Sequence, residues 1–245
     1  MELAVLRDDM VDSLEHESKG CVSSTAVSVA MREVPRHAFV ADDQGAYADR
    51  SFEHLGTRVL APSTVGRLFE ALGLAAGHDV LVVGAGVGYT TAVAAEIAGP
   101  RHVQAIDITR RLVYEARSNL ATAGYGGVLV DRQDGADGFP DYAPYDRILL
   151  EAAAVAPPRA LVDQLAPEGR LVMPLGAHQQ HIAVVEADGE VERLGGCAFD
   201  PMLVEGEQVD TVERNRTRRE EREFAERAAQ RRRGWEHDWI DWDAR

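Results

Sequence analysis

Three glycines at alternate positions, Gly84, Gly86 and Gly88, follow directly after a short aliphatic run at residues 80–83. Such a run is typical of a strand that is buried on both faces. Glycines in the turn after a strand let the backbone approach a ligand closely and leave the amides of the next helix free to bind it. The spacing GxGxG, in contrast to the GxGxxG of dinucleotide sites, favours S-adenosylmethionine as that ligand.

Two acidic residues follow at the predicted ends of later strands. Asp107 comes directly after the apolar run 103–106, where a carboxylate can accept hydrogen bonds from both ribose hydroxyls. Asp134 and Gly135 come after the run 128–130, where an acid can meet the adenine edge. Ligands bind at the carboxyl ends of the strands in such sheets. The glycines and the acids together therefore predict a binding site for S-adenosylmethionine.

Strands that alternate with helices must position these residues. The sequence predicts strands at 80–83, 103–106, 128–130, 147–150 and 169–173, with helices at 90–98, 111–123 and 158–165. This alternation predicts an α/β fold with a doubly wound, mostly parallel, Rossmann-like sheet. Two alternating runs on either side of Asp188 and Gly189 predict an antiparallel hairpin near one edge, from 181–186 and 191–194.

The rest of the chain divides into two further parts. Apolar residues at helical spacing predict two helices between residues 2 and 34, with stripes that include Val5 and Val29, and a short helix follows at 65–74. Residues 41–63 look like a loop. The expected organisation is an N-terminal part (1–64) with the helices and an acceptor loop, an S-adenosylmethionine-binding domain (65–208) and a charged helical tail (209–245).

The tail differs from the body in composition. All three tryptophans, Trp235, Trp239 and Trp242, lie at helical spacing within it and would share one face of a helix. That face would either dock on the body or contact a second copy of the chain or a substrate protein. The oligomeric state is left open by the sequence.

Charge is distributed unevenly along the chain. The net charge is −15, and residues 210–245 hold ten acids and ten arginines, so the whole imbalance belongs to residues 1–209. Such a surface argues against nucleic acid as a partner. Lys19 is the one lysine among 26 basic residues, and this excess of acids with almost no lysine favours a halophilic origin. GC-rich coding would explain the arginines but not the 41 acids.

The sequence also indicates in which part of the cell the protein is expected. No apolar run approaches the length of a membrane span, and residues 1–10 lack the apolar core of an export signal. The two cysteines, Cys21 and Cys197, follow no metal spacing, and no metal site is expected. We therefore expect a cytoplasmic protein that does not engage a membrane.

The order of several segments resembles the protein-L-isoaspartate O-methyltransferase family over about residues 8–205. The matching segments are 31–40 (MREVPRHAFV), 46–49 (AYAD), 80–89 (VLVVGAGVGY), 143–146 (APYD), 152–154 (AAA) and 161–176 (LVDQLAPEGRLVMPLG). The resemblance implies a class I methyltransferase that transfers a methyl group from S-adenosylmethionine to the carboxylate of isoaspartyl residues in damaged proteins. The ester then collapses to a succinimide and reopens, partly as normal aspartate.

The acceptor loop departs from the pattern of that family. The resemblance aligns residues 56–63 with a loop of the form GxTISAPH, which places Arg58 at the threonine and Leu60 at the serine thought to hold the acceptor carboxylate. Leucine has no hydrogen-bond donor in its side chain, so that contact is absent. Arg58 would bind a carboxylate instead if it points inward, and an outward-facing Arg58 is equally compatible with the sequence.

Two further departures lie outside the acceptor loop. Val82 stands at the position of an acid that in the family contacts the methionine end of the cofactor, and Glu151 stands at a position that is usually threonine. An ionised Glu151 would repel an acceptor carboxylate unless Arg58 neutralised it. Glu151 would alternatively act as a general base for another acceptor, bind the cationic part of the cofactor, or simply be solvated.

Two other functions therefore stay open on the sequence. One is an S-adenosylmethionine-dependent methyltransferase with a different acceptor, in which Glu151 is the base. The other is a catalytically silent paralogue that binds the cofactor or a partner protein.

Overall fold

A computed structural model describes residues 3–41 and 45–203 of the chain. The predicted tail helix and its three tryptophans lie outside the described residues. Within those residues no helix is long and apolar enough to cross a membrane.

The described part of the chain has a central seven-stranded sheet and a separate two-stranded sheet, formed by the first two strands. In chain order the strands are β1 (Phe52–His54), β2 (Thr57–Val59), β3 (Val80–Val83), β4 (Val103–Asp107), β5 (Leu129–Arg132), β6 (Tyr145–Leu150), β7 (Leu165–Leu175), β8 (Gln180–Glu186) and β9 (Val191–Cys197). The large sheet has the order β5-β4-β3-β6-β7-β8-β9. The first five strands in this order, β5, β4, β3, β6 and β7, are parallel to one another, whereas β8 and β9 are antiparallel to their neighbours. The predicted α/β fold with a late antiparallel hairpin is confirmed.

Helices cover both faces of this sheet. They are α1 (Leu3–Glu15), α2 (Thr25–Glu33), α3 (Pro62–Leu72), α4 (Tyr89–Ala98), α5 (Arg110–Thr122) and α6 (Arg159–Asp163). Alternate residues of β3 enter two separate cores: Val80 and Val82 pack with α1–α5, and Leu81 and Val83 pack on the face that also holds α6. Burial of β3 on both faces explains its unbroken aliphatic sequence.

Some local expectations were wrong. Residues 41–63 are not only loop, because β1 and β2 pair as a small hairpin whose turn contains Leu55 and Gly56, both at positive φ. Strands of three residues are too short to show a clear alternation. Val5 and Val29 are 45% and 48% exposed, so they do not belong to the buried stripes of α1 and α2. The helix expected at 158–165 ends at Asp163, because Leu165 already pairs with β6.

Candidate active site

A cleft opens at the carboxyl ends of β3, β4 and β6. It contains about 840 Å³ of empty space, counting its open mouth. Its walls are the turn after β3, strand β2, the residues after β4 and β6, and the segment 198–203 that follows β9. This is the edge at which ligands bind in open α/β sheets.

The turn after β3 has the conformation that its glycines predict. Gly84, Gly86 and Gly88 have φ values of 88°, 54° and 95°, which side chains disfavour. The amides of Gly84 and Ala85 donate to the carbonyl of Ile106 in β4, at 2.8 and 3.0 Å. A Cβ on Gly84 would lie 3.6 Å from Cβ of Glu151. The turn is therefore fixed against β4 and leaves its open side to the cleft.

Asp107 is attached directly to this turn. Its Oδ2 accepts a hydrogen bond from the amide of Gly86 at 3.0 Å, and its Oδ1 accepts one from the amide of Thr109 at 2.8 Å. Burial raises the pKa of Asp107, although these amide bonds oppose the shift. Each carboxylate oxygen retains a lone pair for a further donor. The structure thus brings Asp107 and the glycine turn together, as the sequence predicted.

The other predicted acid lies beside the cleft. Gly135 lines it, and a Cβ there would lie 2.6 Å from Cγ1 of Val83 and 3.1 Å from Cε of Met202, so a side chain does not fit. Asp134 holds the turn in shape, because its Oδ1 accepts a hydrogen bond from the amide of Ala136 at 2.8 Å.

Arg58 faces the cleft from β2. Its Nε lies 3.2 Å from Oε1 of Glu53 across the small hairpin, and its NH2 lies 3.5 Å from Oδ1 of Asp200. About a third of the side chain is exposed. Two carboxylates thus hold the guanidinium at the mouth of the cleft, which answers the question of orientation that the sequence left open.

Leu60 occupies the same wall and is buried. Its carbonyl accepts a 2.6 Å hydrogen bond from NH2 of Arg36, whose Nε donates to the carbonyl of Ala46 at 2.8 Å. The Arg36 guanidinium is fully buried and stacks 4.6 Å from the ring centre of Tyr89, the first residue of α4. Arg36 therefore connects the acceptor loop to the cofactor turn. Arg36 lies in the segment VPRH, and no local pattern in the sequence indicated this role.

Glu151 lies opposite this wall, directly after β6. Its Oε1 is shut off from solvent and has no hydrogen-bond partner among the described residues. The pKa of Glu151 is raised to about 8, mainly by burial. A hydrogen bond from Thr90 opposes this shift, and the nearby charge of Asp107 adds to it. Glu151 is therefore mostly a neutral carboxylic acid at pH 7.

Val82 does not line the cleft, because it is fully buried in the core beneath the turn. His37, in the segment VPRH, does not line it either, and its Nδ1 lies 2.7 Å from the hydroxyl of Tyr47. In the described ranges there is no group of three or more histidine, cysteine or acidic residues that could bind a metal ion.

One wall of the cleft, the segment 198–203, was not predicted from the sequence. The segment 198–203 is anchored by the side chain of Gln180, which accepts from the amide of Phe199 at 2.7 Å and donates to its carbonyl at 3.0 Å. Pro201 pairs with Ala153 after β6. These contacts span long sequence distances, so no local pattern indicated them.

Comparison with known proteins gives consistent matches. The family described as protein-L-isoaspartate(D-aspartate) O-methyltransferase (PCMT) matches residues 7–205. The protein-L-isoaspartate O-methyltransferase of Methanopyrus kandleri is 42% identical over 209 residues, 81% of this chain and 92% of the relative. That of Methanosarcina mazei is 39% identical over 211 residues, 82% and 85% of the two chains.

Solved structures agree on the fold. A structure of a putative protein-L-isoaspartate O-methyltransferase from Plasmodium falciparum, in complex with S-adenosyl-L-homocysteine, has a TM-score of 0.71 at 19% identity and covers 80% of this chain and 97% of that one. A second protein-L-isoaspartate O-methyltransferase has a TM-score of 0.70 at 22% identity, covering 80% of this chain and 65% of that one.

Proposed function

The chain belongs to the protein-L-isoaspartate(D-aspartate) O-methyltransferase family, and we propose how its cleft performs the reaction of that family. As a member it is an S-adenosylmethionine-dependent enzyme that methylates the carboxylate of isoaspartyl residues in proteins. We divide the cleft into a cofactor half, formed by the turn 84–88, Asp107, Asp134 and Gly135, and an acceptor half, formed by Arg58, Leu60 and Glu151.

The hydrogen bond between Asp107 and Gly86 carries the assignment of the cofactor half. It places a buried carboxylate against a turn whose three glycines all have positive φ, and no Cβ projects from those glycines into the cleft. This arrangement fits S-adenosylmethionine: Asp107 would accept from the ribose hydroxyls, and the turn would bind the methionine part. Gly135 and the backbone next to Asp134 would leave room for the adenine.

The acceptor half must hold a carboxylate in line with the bond to be broken. When bound, S-adenosylmethionine supplies a methyl group on a positively charged sulfur. An isoaspartyl carboxylate is already ionised at neutral pH, so the chain has to orient it and exclude water but does not have to deprotonate it. The acceptor half would hold a carboxylate oxygen in line with the carbon–sulfur bond, so that methyl transfer would form the ester and release the neutral thioether.

Arg58 is suited to attract that carboxylate. A guanidinium has five N–H donors, and the contacts with Glu53 and Asp200 engage two of its nitrogens, so donors remain for a ligand in the cleft that Arg58 lines. The acids on either side fix the orientation of the side chain. Arg58 therefore supports the same acceptor chemistry from a position two residues before the missing serine.

We also propose that the enzyme works in a cytoplasm of high salt, with neither a membrane nor nucleic acid as partner. The 41 acids, the single lysine and the free state of both cysteines support this setting. The expected result is a thermal midpoint that rises between 0.1 and about 2 M KCl, because salt screens the repulsion among surface carboxylates. A midpoint independent of KCl would contradict it.

The function is tested by methyl transfer to a matched pair of peptides. One peptide carries an isoaspartyl residue and the other carries aspartate at the same position. We expect methyl ester formation on the isoaspartyl peptide alone when both are assayed at high KCl. Equal transfer to both peptides, or transfer to neither with intact cofactor binding by calorimetry, would contradict the function.

A further inference from the structure

The acceptor half lacks a hydroxyl donor but contains an unused acid. Leu60 and Glu151 both line the cleft and a smaller pocket that adjoins it, and this pocket also borders the cofactor turn at Gly84. By the resemblance, Leu60 stands at the position of a serine that would hold the acceptor carboxylate, and Glu151 stands at a position that is usually threonine. The loss of a donor on one wall thus coincides with the gain of a carboxyl group on the other.

The geometry of Glu151 fits a ligand contact. Its amide donates to the carbonyl of Val83 at 2.9 Å, which fixes its backbone at the end of β3. Its Oε1 is closed to bulk solvent and has no partner among the described residues. An unpaired buried carboxyl oxygen costs free energy unless a ligand provides a partner. Apart from Glu151, the polar side chains along the smaller pocket are those of Thr57, Arg58, Tyr89 and Thr90.

The charges around Glu151 decide whether its carboxyl group is ionised or neutral. Asp107 approaches from β4, and its charge disfavours a second negative charge on Glu151. Asp200, in the segment after β9, lines the same cleft and pairs with Arg58. Arg58 is the cation of this cleft, and Glu53 and Asp200 already pair with it. The hydroxyl of Tyr89 is uncharged at neutral pH because burial raises its pKa. No cation remains among the described lining residues to hold Glu151 ionised.

We propose that Glu151, as a neutral carboxylic acid, donates a hydrogen bond to the acceptor carboxylate and so replaces the donor that Leu60 lacks. This inference rests on the proposed function. An ionised Glu151 would repel the acceptor, and a general base is not needed for an acceptor that is already ionised. A neutral acid has one O–H donor and forms a short, strong bond to a carboxylate, which strengthens binding and orients the attacking oxygen.

The first test compares two substitutions at this position. Glu151→Gln keeps an N–H donor in nearly the same place, whereas Glu151→Leu removes it. We expect the KM for the isoaspartyl peptide to rise about tenfold or more in the leucine variant and less than threefold in the glutamine variant. Glu192→Gln on β9, an exposed glutamate, is the control and should not change KM.

The second test uses pH and does not depend on the folding of the leucine variant. In the wild type kcat/KM for the isoaspartyl peptide should fall with increasing pH above about 8, as Glu151 ionises and its donor is lost. In Glu151→Gln this decline should be absent, because an amide does not titrate. A decline of the same size in both proteins would overturn the proposal.

The third test restores the donor on the opposite wall. Leu60→Ser added to Glu151→Leu should lower KM for the isoaspartyl peptide at least threefold relative to Glu151→Leu alone. No recovery in a folded double variant would overturn the inference. A weaker binding of S-adenosylmethionine in Glu151→Gln, by calorimetry and with an unchanged KM for the peptide, would instead make Glu151 a cofactor contact and would also overturn it.

Failure of this inference is distinguishable from failure of the function. If the wild type transfers no methyl group to the isoaspartyl peptide, the function is wrong. If the wild type is active but Glu151→Leu has the wild-type KM, the function stands and the role of Glu151 is wrong.

Discussion

The cofactor half of the cleft is built mainly from backbone, whereas the acceptor half is built from side chains. In the cofactor half, positive φ at three glycines and the amides of Gly86 and Thr109 define the shape, and Asp107 ties them together. In the acceptor half the side chains of Arg58, Leu60 and Glu151 form the walls, and the resemblance leads one to expect other residues at these three positions. A site shaped by backbone depends little on which side chains surround it, whereas a site shaped by side chains changes its donors with each substitution.

Four predictions test whether the two halves are separable.

Arg36 supports both halves, so its loss should damage the whole cleft. Arg36→Met leaves the buried carbonyls of Ala46 and Leu60 without donors and removes the stacking on Tyr89. We expect the free energy of unfolding to fall by about 4 kcal/mol, measured by denaturant titration. Arg159→Met is the control, because that side chain is 92% exposed. A loss below about 1 kcal/mol would show that Arg36 does not connect the halves.

Glu151 should make stability depend on pH. An ordinary unfolded glutamate ionises near pH 4.5, whereas the folded protein keeps Glu151 protonated until about pH 8. The folded state therefore binds more protons in this window, so its stability decreases as pH rises from about 4.5 to 8.

Glu151→Gln removes this dependence. The variant should be more stable than the wild type by about 3 kcal/mol at pH 8.5, with a much smaller difference near pH 5. The measurement is a denaturant titration at each pH. If the difference in free energy of unfolding between the variant and the wild type were the same at both pH values, Glu151 would not be neutral at pH 7. The acceptor half would then carry a negative charge at this residue.

Asp107 should affect the cofactor half alone. Asp107→Ala removes the acceptor of the Gly86 amide and the proposed ribose contact, so the Kd for S-adenosylmethionine should rise about 100-fold by calorimetry. Asp131→Ala on the neighbouring strand is the matched control, since it loses only surface contacts: an ion pair with Arg117 and a hydrogen bond from the amide of Arg132. An Asp107→Ala protein with wild-type affinity would remove the basis for the cofactor half.

Arg58 should affect the acceptor half alone and by a smaller factor. In Arg58→Ala we expect the KM for the isoaspartyl peptide to rise about tenfold and the Kd for S-adenosylmethionine to stay within twofold, because a partly exposed ion contact contributes modestly. Arg101→Ala, an exposed arginine, is the control. Equal losses in KM and in cofactor affinity would show that the halves are not separable at this residue.

The sequence predicted the cofactor half better than the acceptor half. Local patterns within βα units mark the glycine turn, Asp107 and the strands around them. Their common position at the carboxyl ends of the strands therefore followed from the sequence. The orientation of Arg58 depends on Asp200, which is 142 positions away, and on a hairpin too short to show a pattern. The neutral state of Glu151 depends on burial by several segments. Such properties arise from tertiary packing and have no local signature.

The central claim is that a rebuilt acceptor half still recognises an isoaspartyl carboxylate. It is tested most directly by one ratio, the rate of methyl transfer to the isoaspartyl peptide over that to its aspartyl twin. The ratio is measured for the wild type and for a triple variant with the family residues, Arg58→Thr, Leu60→Ser and Glu151→Thr. We predict a large ratio in both proteins, within about tenfold of each other, with equal affinity for S-adenosylmethionine. A large ratio in the triple variant alone would contradict the account, because the natural cleft would then have been rebuilt for a different acceptor.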